Sequence, residues 1–322
     1  MLLKVHADPN NPDVRHISFA DTEAGIGVVR DFTKNLAEPW KYTRANTTEH
    51  HKRIMEPARW ANFKKNKTKL DKSTPFLNLV ADRIGTVMEK RTLIICGNGY
   101  SLKEHAHLLK DTKADILALN GAIDVVPRAD YFMAIDWTPN LKFASNHYDT
   151  KAVLSVTTHP NNVRPFKNRY FVCDNRDSKI DNKIRAVRPD IFGIDVNLEV
   201  GFSALHFAWL LQYQTVITIG FEHCYANPQK IHATGDFTDQ KKVFVVEMDD
   251  GRKVYSNFHL MLGAQTIKGG FYFLRENGVR VIECSDGLID EQCEQMKLED
   301  ALLEADSPLI LNEEKVDIKD LQ

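Results

Sequence analysis

Two short glycine-bearing segments carry the residue types best suited to chemistry. Gly97-Asn98-Gly99-Tyr100-Ser101 closes one apolar run, and Gly220-Phe221-Glu222-His223-Cys224-Tyr225 closes another. A glycine turn at the end of a buried strand lets backbone amides approach an anion, and a following helix adds its positive N-terminal dipole. Asn120 and Asp136 end two further apolar runs. In an open parallel sheet, ligands bind at this carboxyl edge. The glycine spacing matches neither a Walker loop nor a complete GxGxxG fingerprint, so ATPase and simple dinucleotide-binding readings lose support. Glu222 and His223 either line a site or simply end a strand.

Metal-ligating patterns are weak by comparison. Asp249-Asp250-Gly251 has the form of a carboxylate pair, but the flanking alternation favours a hairpin turn. His50-His51 and His105/His107 lack a carboxylate or Cys at ligand spacing. The five cysteines are scattered without a CxxC, which argues against both a disulfide framework and a structural zinc. A metal-independent reaction is favoured, with Mg²⁺ kept open.

The elements that must position these residues alternate along the chain. Apolar runs at 92–96, 115–119, 131–135, 152–156, 170–172, 215–219 and 279–282 read as strands. Helices are expected over 101–110, with Ser101 as N-cap and Glu104 at capping-box spacing, over 201–213, and over 259–277 with Gly278 beyond its end. Residues 243–247 and 253–255 read as a β-hairpin. The rhythm predicts an α/β, Rossmann-like, mostly parallel sheet with helices on both faces. Residues 1–90 show little strand periodicity and read as a helical or irregular N-terminal region, with helices expected at 22–36 and 76–90. Residues 91–290 form the expected catalytic domain. Residues 291–322 form an acidic tail, expected to be mobile apart from the apolar stretch Pro308–Leu311.

These blocks resemble a known superfamily. Leu93-Ile-Ile-Cys-Gly-Asn-Gly-Tyr-Ser-Leu-Lys-Glu104 is similar to the opening of the bacterial sialyltransferases, a strand followed by GNGPSL and a helix. Val200-Gly-Phe-Ser-Ala-Leu-His-Phe-Ala-Trp-Leu-Leu211 with Val216-Ile-Thr-Ile-Gly-Phe-Glu-His-Cys-Tyr225 resembles the family's SG, helix, strand and GIDFY block. Motility-accessory glycosyltransferases of flagellin share both, with a His-Ala-x-Gly element seen here as His232-Ala-Thr-Gly235. An archaeal pterin diphosphokinase belongs to the same superfamily, so the fold leaves the reaction open. Tyr100 stands where the sialyltransferases have Pro, Val200 stands for the Ser before Gly201, and one extra residue separates Gly220 from Tyr225.

The resemblance implies a nucleotide-sugar donor, CMP- or UDP-linked, held by Gly97, Asn98, Gly99, Ser101, Asn120 and Gly201. Asn98 and Asn120 would contact phosphate and ribose, and Tyr225 would face the leaving phosphate. A His before the last long helix, here His259, would be the general base, with His232 as runner-up. A neutral His suits proton removal from an acceptor hydroxyl, and a Tyr hydroxyl can donate where charge develops on the leaving oxygen. Asp136 is a further candidate, as base or as a carboxylate for Mg²⁺ in a diphosphokinase.

Charge is balanced overall and uneven locally. The 322 residues carry a formal net charge of −2. The stretch from Trp40 to Lys72 holds ten Lys/Arg against three acids, and Glu283–Gln322 holds three Lys against thirteen acids. Arg59, Trp60, Lys64, Lys65 and Lys67 combine cations with an aromatic face, as nucleic-acid contacts do. The acceptor is then expected to be a glycan or a hydroxymethylated base in DNA, as in phage-type DNA modification. A non-catalytic nucleic-acid-binding protein is the third reading. No apolar window reaches 18 residues and the N-terminus lacks a signal-peptide pattern, so no membrane insertion and a cytoplasmic location are expected. A homo-oligomer is compatible with the sequence.

Overall fold

The structure, a computed structural model, describes residues 2–8, 11–20, 55–84, 92–138, 149–174, 179–194, 199–225, 244–248, 251–289 and 292–306. In chain order its strands are β1 (Leu2–Asp8), β2 (Asn11–Ala20), β3 (Thr74–Pro75), β4 (Thr92–Cys96), β5 (Asp115–Leu119), β6 (Tyr131–Ala134), β7 (Lys151–Ser155), β8 (Arg169–Asp174), β9 (Gly193–Ile194), β10 (Thr215–Ile219), β11 (Phe244–Glu247), β12 (Lys253–Ser256), β13 (Arg280–Glu283) and β14 (Glu294–Gln295). The helices are α1 (Glu56–Leu70), α2 (Phe76–Ile84), α3 (Tyr100–His105), α4 (Pro160–Val163), α5 (Lys179–Val187), α6 (Val200–Leu210), α7 (Phe258–Glu276) and α8 (Leu298–Asp306).

The main sheet runs β14-β13-β10-β4-β5-β6-β7-β8-β3, with β9 added against β8, and every pairing in it is parallel. The central strands are unbroken apolar runs because both faces are covered. Alternate residues of one strand therefore feed two cores. Leu93, Ile95, Leu117 and Val216 pack with Leu205 and Phe207 of α6 and Ile267 and Phe271 of α7. Ile94, Cys96, Ile116 and Ile217 pack on the other face with Phe63 of α1, Leu102 of α3, Ile184 of α5 and Leu298 of α8. The α/β Rossmann-like architecture expected from the alternation is present. The chain crosses from β4 outward to β8, then returns to lay β10 on the other flank of β4. The switch point lies between β4 and β10.

Two local expectations are corrected, and a third is described only in part. β1 and β2 form an antiparallel hairpin where little strand character is expected, because β2 gains a non-local partner: β11 pairs parallel with it and antiparallel with β12. The helix expected at 22–36 lies outside the described residues, and the one at 76–90 is described as Phe76–Ile84. Part of the acidic tail is packed, since β14 joins β13 and α8 buries Leu298, Ala301 and Leu302. Residues 307–322, including Pro308–Leu311, lie outside the described residues.

The basic stretch contributes α1, whose inward face sets Arg59, Asn62 and Asn66 beside the apolar Phe63 and Leu70. Asn62 Nδ2 donates to the carbonyls of Trp137 and Thr157 at 2.8 and 3.1 Å, and Asn66 Nδ2 to those of Val156 and Thr158 at 3.3 and 2.8 Å. Arg59 pairs with Asp181 at 2.6 Å, their side chains 5% and 1% exposed. These bonds fasten α1 over the loop that leaves β7. No helix among the described residues is long and apolar enough to cross a membrane.

Removing one member of a buried ion pair strands the other in low dielectric, at a cost of about 3–5 kcal/mol. Arg59→Ala should therefore lower the free energy of unfolding by about that amount in urea titrations, while the double replacement Arg59→Met/Asp181→Leu recovers most of the loss.

Candidate functional site

A cleft opens at the switch point, lined by the turns that end β4, β5 and β10, by the start of α6 and by Leu260 in the first turn of α7. Its geometry is set by contact between two backbones. The amide of Gly97 donates to the carbonyl of Ile219 at 2.8 Å, and that of Gly99 to the carbonyl of Gly220 at 2.9 Å. The β4–β10 ladder thus continues past both strands into their turns. A Cβ at Gly220 would lie 2.4 Å from the Gly97 carbonyl oxygen, and Gly220 has φ +78. Only glycine satisfies both requirements at position 220.

The amide at the start of α3 is already occupied by an acid. Ser101 N donates to Glu222 Oε1 at 2.8 Å, and the missing Cβ of Gly99 is the space that Glu222 Oε2 fills. Ser101 does not cap the helix as expected. Gly99 is the N-cap residue, and the Ser101 hydroxyl accepts from Gly220 N at 3.2 Å instead. Burial pushes the Glu222 carboxyl above its ordinary value, against the opposing hydrogen bond from Ser101. Glu222 Oε2 has no hydrogen-bond partner among the described residues, which suits a protonated carboxyl.

His223 and Glu199 form a couple on the far wall. His223 Nδ1 lies 2.7 Å from the Phe221 carbonyl and must donate to it, while Nε2 faces both Glu199 oxygens at 3.2 Å. Burial opposes the imidazolium, but the Glu199 carboxylate, with the Phe221 carbonyl, holds its pKa above the ordinary value. Behind this wall lies another buried acid, Glu283. Burial pushes Glu283 up to about 7, with the Ser285 amide donating to it at 2.7 Å and the Thr218 hydroxyl also bonded to it. Ser285 in turn accepts from Phe221 N at 2.9 Å, fixing the turn after β10.

Asn120 closes the floor of the cleft at φ +50, with its Oδ1 buried and without a hydrogen-bond partner among the described residues. The eleven-residue helix α6 starts at the cleft, and its N-cap residue Glu199 makes no side-chain cap. The dipole of that helix end faces the cleft without a capping carboxylate bond. A buried acceptor and an uncapped helix end together suit a sugar hydroxyl and a phosphate.

A family model described as 6-hydroxymethylpterin diphosphokinase MptE-like matches residues 61–228. That range covers more than half of the chain and takes in every strand end that lines the cleft. The chain belongs to the 6-hydroxymethylpterin diphosphokinase MptE-like family. Membership supports a transferase-type enzyme on this Rossmann-like fold. In the same comparisons no curated protein and no solved structure matches the chain.

Of the expected site residues, the family range and the cleft together contain Gly97, Asn98, Gly99, Asn120 and Gly201, with Ser101 buried just behind. Tyr225 is buried beside the cleft rather than in its lining. Its hydroxyl bonds Asn257 Nδ2, and Asn257 caps α7 through Leu260 N at 2.9 Å. Asp136 lies two residues beyond β6, away from the lining, with the pKa of its carboxyl raised by burial. His259 lies in the first turn of α7 and its side chain is outside the described residues, as is all of His232 and the Asp249-Asp250 pair. Arg59 is buried in its ion pair, whereas Lys64, Lys65 and Lys67 are exposed. Lys64 and Lys183 place their ammonium groups 6.0 and 4.1 Å from the Trp60 ring. Glu199 was not legible as a site residue. It lies 24 positions from His223, and only its place before the Val200-Gly201 helix start could have marked it. Among the described residues no three His, Cys, Asp or Glu side chains converge as a metal-ligand set.

Two substitutions test the backbone contact. Gly99→Ala sets a Cβ 1.5 Å from Glu222 Oε2 and 2.6 Å from the Gly220 carbonyl oxygen, so it should cost about 1–3 kcal/mol in chemical denaturation. Gly269→Ala, on an exposed face of α7 with nothing within 4 Å, should instead gain about 0.5–1 kcal/mol.

Glu283 gives a pH signature. Its folded pKa, about 7, exceeds the ordinary 4.5, so the fold binds its proton more tightly than the unfolded chain does. Its contribution is full below pH 4.5 and is lost as pH rises through 7. Glu283→Gln, which mimics the protonated acid, should flatten that decline in thermal melts between pH 4.5 and 8.

Proposed function

We propose that the protein transfers a group from a nucleotide donor, seated in the β4–β10 cleft, to the hydroxyl of an acceptor. The observation that carries this reading is the position of the cleft. It lies at the switch point of a parallel sheet, inside the family match, and contains the unpartnered Asn120 Oδ1. The Asn120 acceptor suits a ribose hydroxyl. The donor's phosphates suit the start of α6 better than the turn after β4, where Glu222 already takes the Ser101 amide.

The family's description favours a nucleoside triphosphate donor and diphosphoryl transfer to a hydroxymethyl-type alcohol. The sequence blocks shared with sialyltransferases favour the second reading, a CMP- or UDP-linked sugar passed to a glycan or to hydroxymethylated DNA. Both break a bond to a phosphate oxygen and form one to an acceptor oxygen, so one cleft serves either. The exposed Lys64, Lys65 and Lys67 suit a polyanionic acceptor.

Thermal shifts with ATP, CMP, UDP, GDP and the corresponding sugar nucleotides, with and without Mg²⁺, should show stabilisation by one donor class. Mass spectrometry of an acceptor panel then separates the reactions, since a diphosphate and a hexose add different masses. No stabilisation by any nucleotide would overturn the reading.

A further inference from the structure

Resting on that reading, we propose that Glu199 is the general base that removes the acceptor's hydroxyl proton, and that His223 is the positioning residue that holds it. Two carboxylates line the cleft, and their surroundings separate their roles. Glu222 is 1% exposed, with one oxygen on the Ser101 amide and the other buried against Gly99, and burial favours its protonated form. It is a structural acid. The Glu199 side chain keeps 24% of its surface exposed, while that of His223 behind it keeps 10%. Glu199 is the carboxylate an acceptor can reach.

Its orientation is fixed on three sides. His223 Nδ1–H is committed to the Phe221 carbonyl, so Nε2 is the atom left to face the carboxylate, equidistant from both oxygens. Gly201 on α6 and Gly263 on α7 supply the room: a Cβ there would fall 2.9 Å from Oε1 and 2.4 Å from Oε2. His223 itself stands at φ +52, a backbone conformation that a non-glycine residue adopts only where its surroundings hold it. The Ser256 hydroxyl donates to its carbonyl at 2.9 Å and helps to do so. Two glycines, a left-handed histidine and a committed ring nitrogen all serve to hold one carboxylate at the rim of the cleft.

The step balances as a displacement. The acceptor O–H gives its proton to a Glu199 oxygen, and the freed oxygen pair forms the bond to the donor's electrophilic centre. The bond from that centre to the bridging phosphate oxygen breaks, and its electron pair leaves with the nucleotide. Glu199 returns the proton to solvent through its exposed side.

The acids facing the His223 ring are Glu199 from the start of α6, Glu283 from the end of β13 and its neighbour Glu222, and Glu199 and Glu283 favour the imidazolium. The test uses the full chain, with Glu199→Gln, His223→Asn (Asn tolerates the left-handed backbone) and His259→Ala. Glu199→Gln should keep the nucleotide-induced thermal shift and slow single-turnover transfer by about 100-fold or more. It should also lower the titration midpoint of the His223 ring in NMR. His223→Asn should lower kcat at unchanged donor KM, a split that a merely structural residue would not show. Wild-type turnover in Glu199→Gln overturns the proposal alone. So does loss of transfer confined to His259→Ala. A wild-type protein that neither binds nucleotides nor transfers overturns the underlying reading, and the proposal with it.

Discussion

Close approach of two backbone turns governs the rest of the molecule. Where β4 and β10 end, their turns remain hydrogen-bonded through Gly97 and Gly99, with the carbonyls of Ile219 and Gly220 as acceptors. Side chains at Gly97, Gly99 or Gly220 would force these backbones apart. The contact decides which atoms reach the carboxyl edge at the one place where the strand order reverses. It also explains the polar interior behind the cleft. With the turns locked together, the residues after Gly220 are driven inward, where Glu222 takes the Ser101 amide, His223 meets the Phe221 carbonyl and Glu199, and Ser285 bonds both the Phe221 amide and Glu283.

This arrangement changes the electrostatics expected of a glycine turn before a helix. Such a turn ordinarily offers free amides to an anionic ligand. Here the chain supplies its own acid: Glu222 takes the Ser101 amide, and the amides of Gly97 and Gly99 serve the sheet. In the proposed reading, the groups left to recognise a donor lie further out, at Asn120 and the start of α6, with the Glu199–His223 couple beside them. The fold therefore says less about chemistry than the identity of the three residues after Gly220, which are Phe221, Glu222 and His223.

Much of the fold was legible because buried parallel strands are short unbroken apolar runs that stop at Gly, Asn or Asp. Thr92–Cys96, Asp115–Leu119 and Thr215–Ile219 announce themselves that way. Helix α1 was not, because its inward stripe mixes Arg59, Asn62 and Asn66 with only Phe63 and Leu70, which in sequence merges with the exposed lysines into one basic arm. The β1–β2 hairpin depends on β11, more than 200 residues away, which no local pattern reports. In the site, the glycines and Asn120 were legible from their strand-end positions. The role of Glu222 was not, since an acid that fills an anion seat is visible only once both turns are in place. Nor was the Glu199–His223 pairing, which joins a helix start to a strand end across the intervening α6.

The central claim is that the β4–β10 cleft is the seat of a nucleotide. Amide chemical-shift mapping tests it most directly, with the isotope-labelled full chain titrated with the nucleotide that stabilises it best. The account predicts saturable shifts concentrated at Gly97–Ser101, Asn120, Val200–Gly201 and Gly220–Cys224. Shifts confined to the exposed lysines of α1, with these residues unmoved, would contradict it.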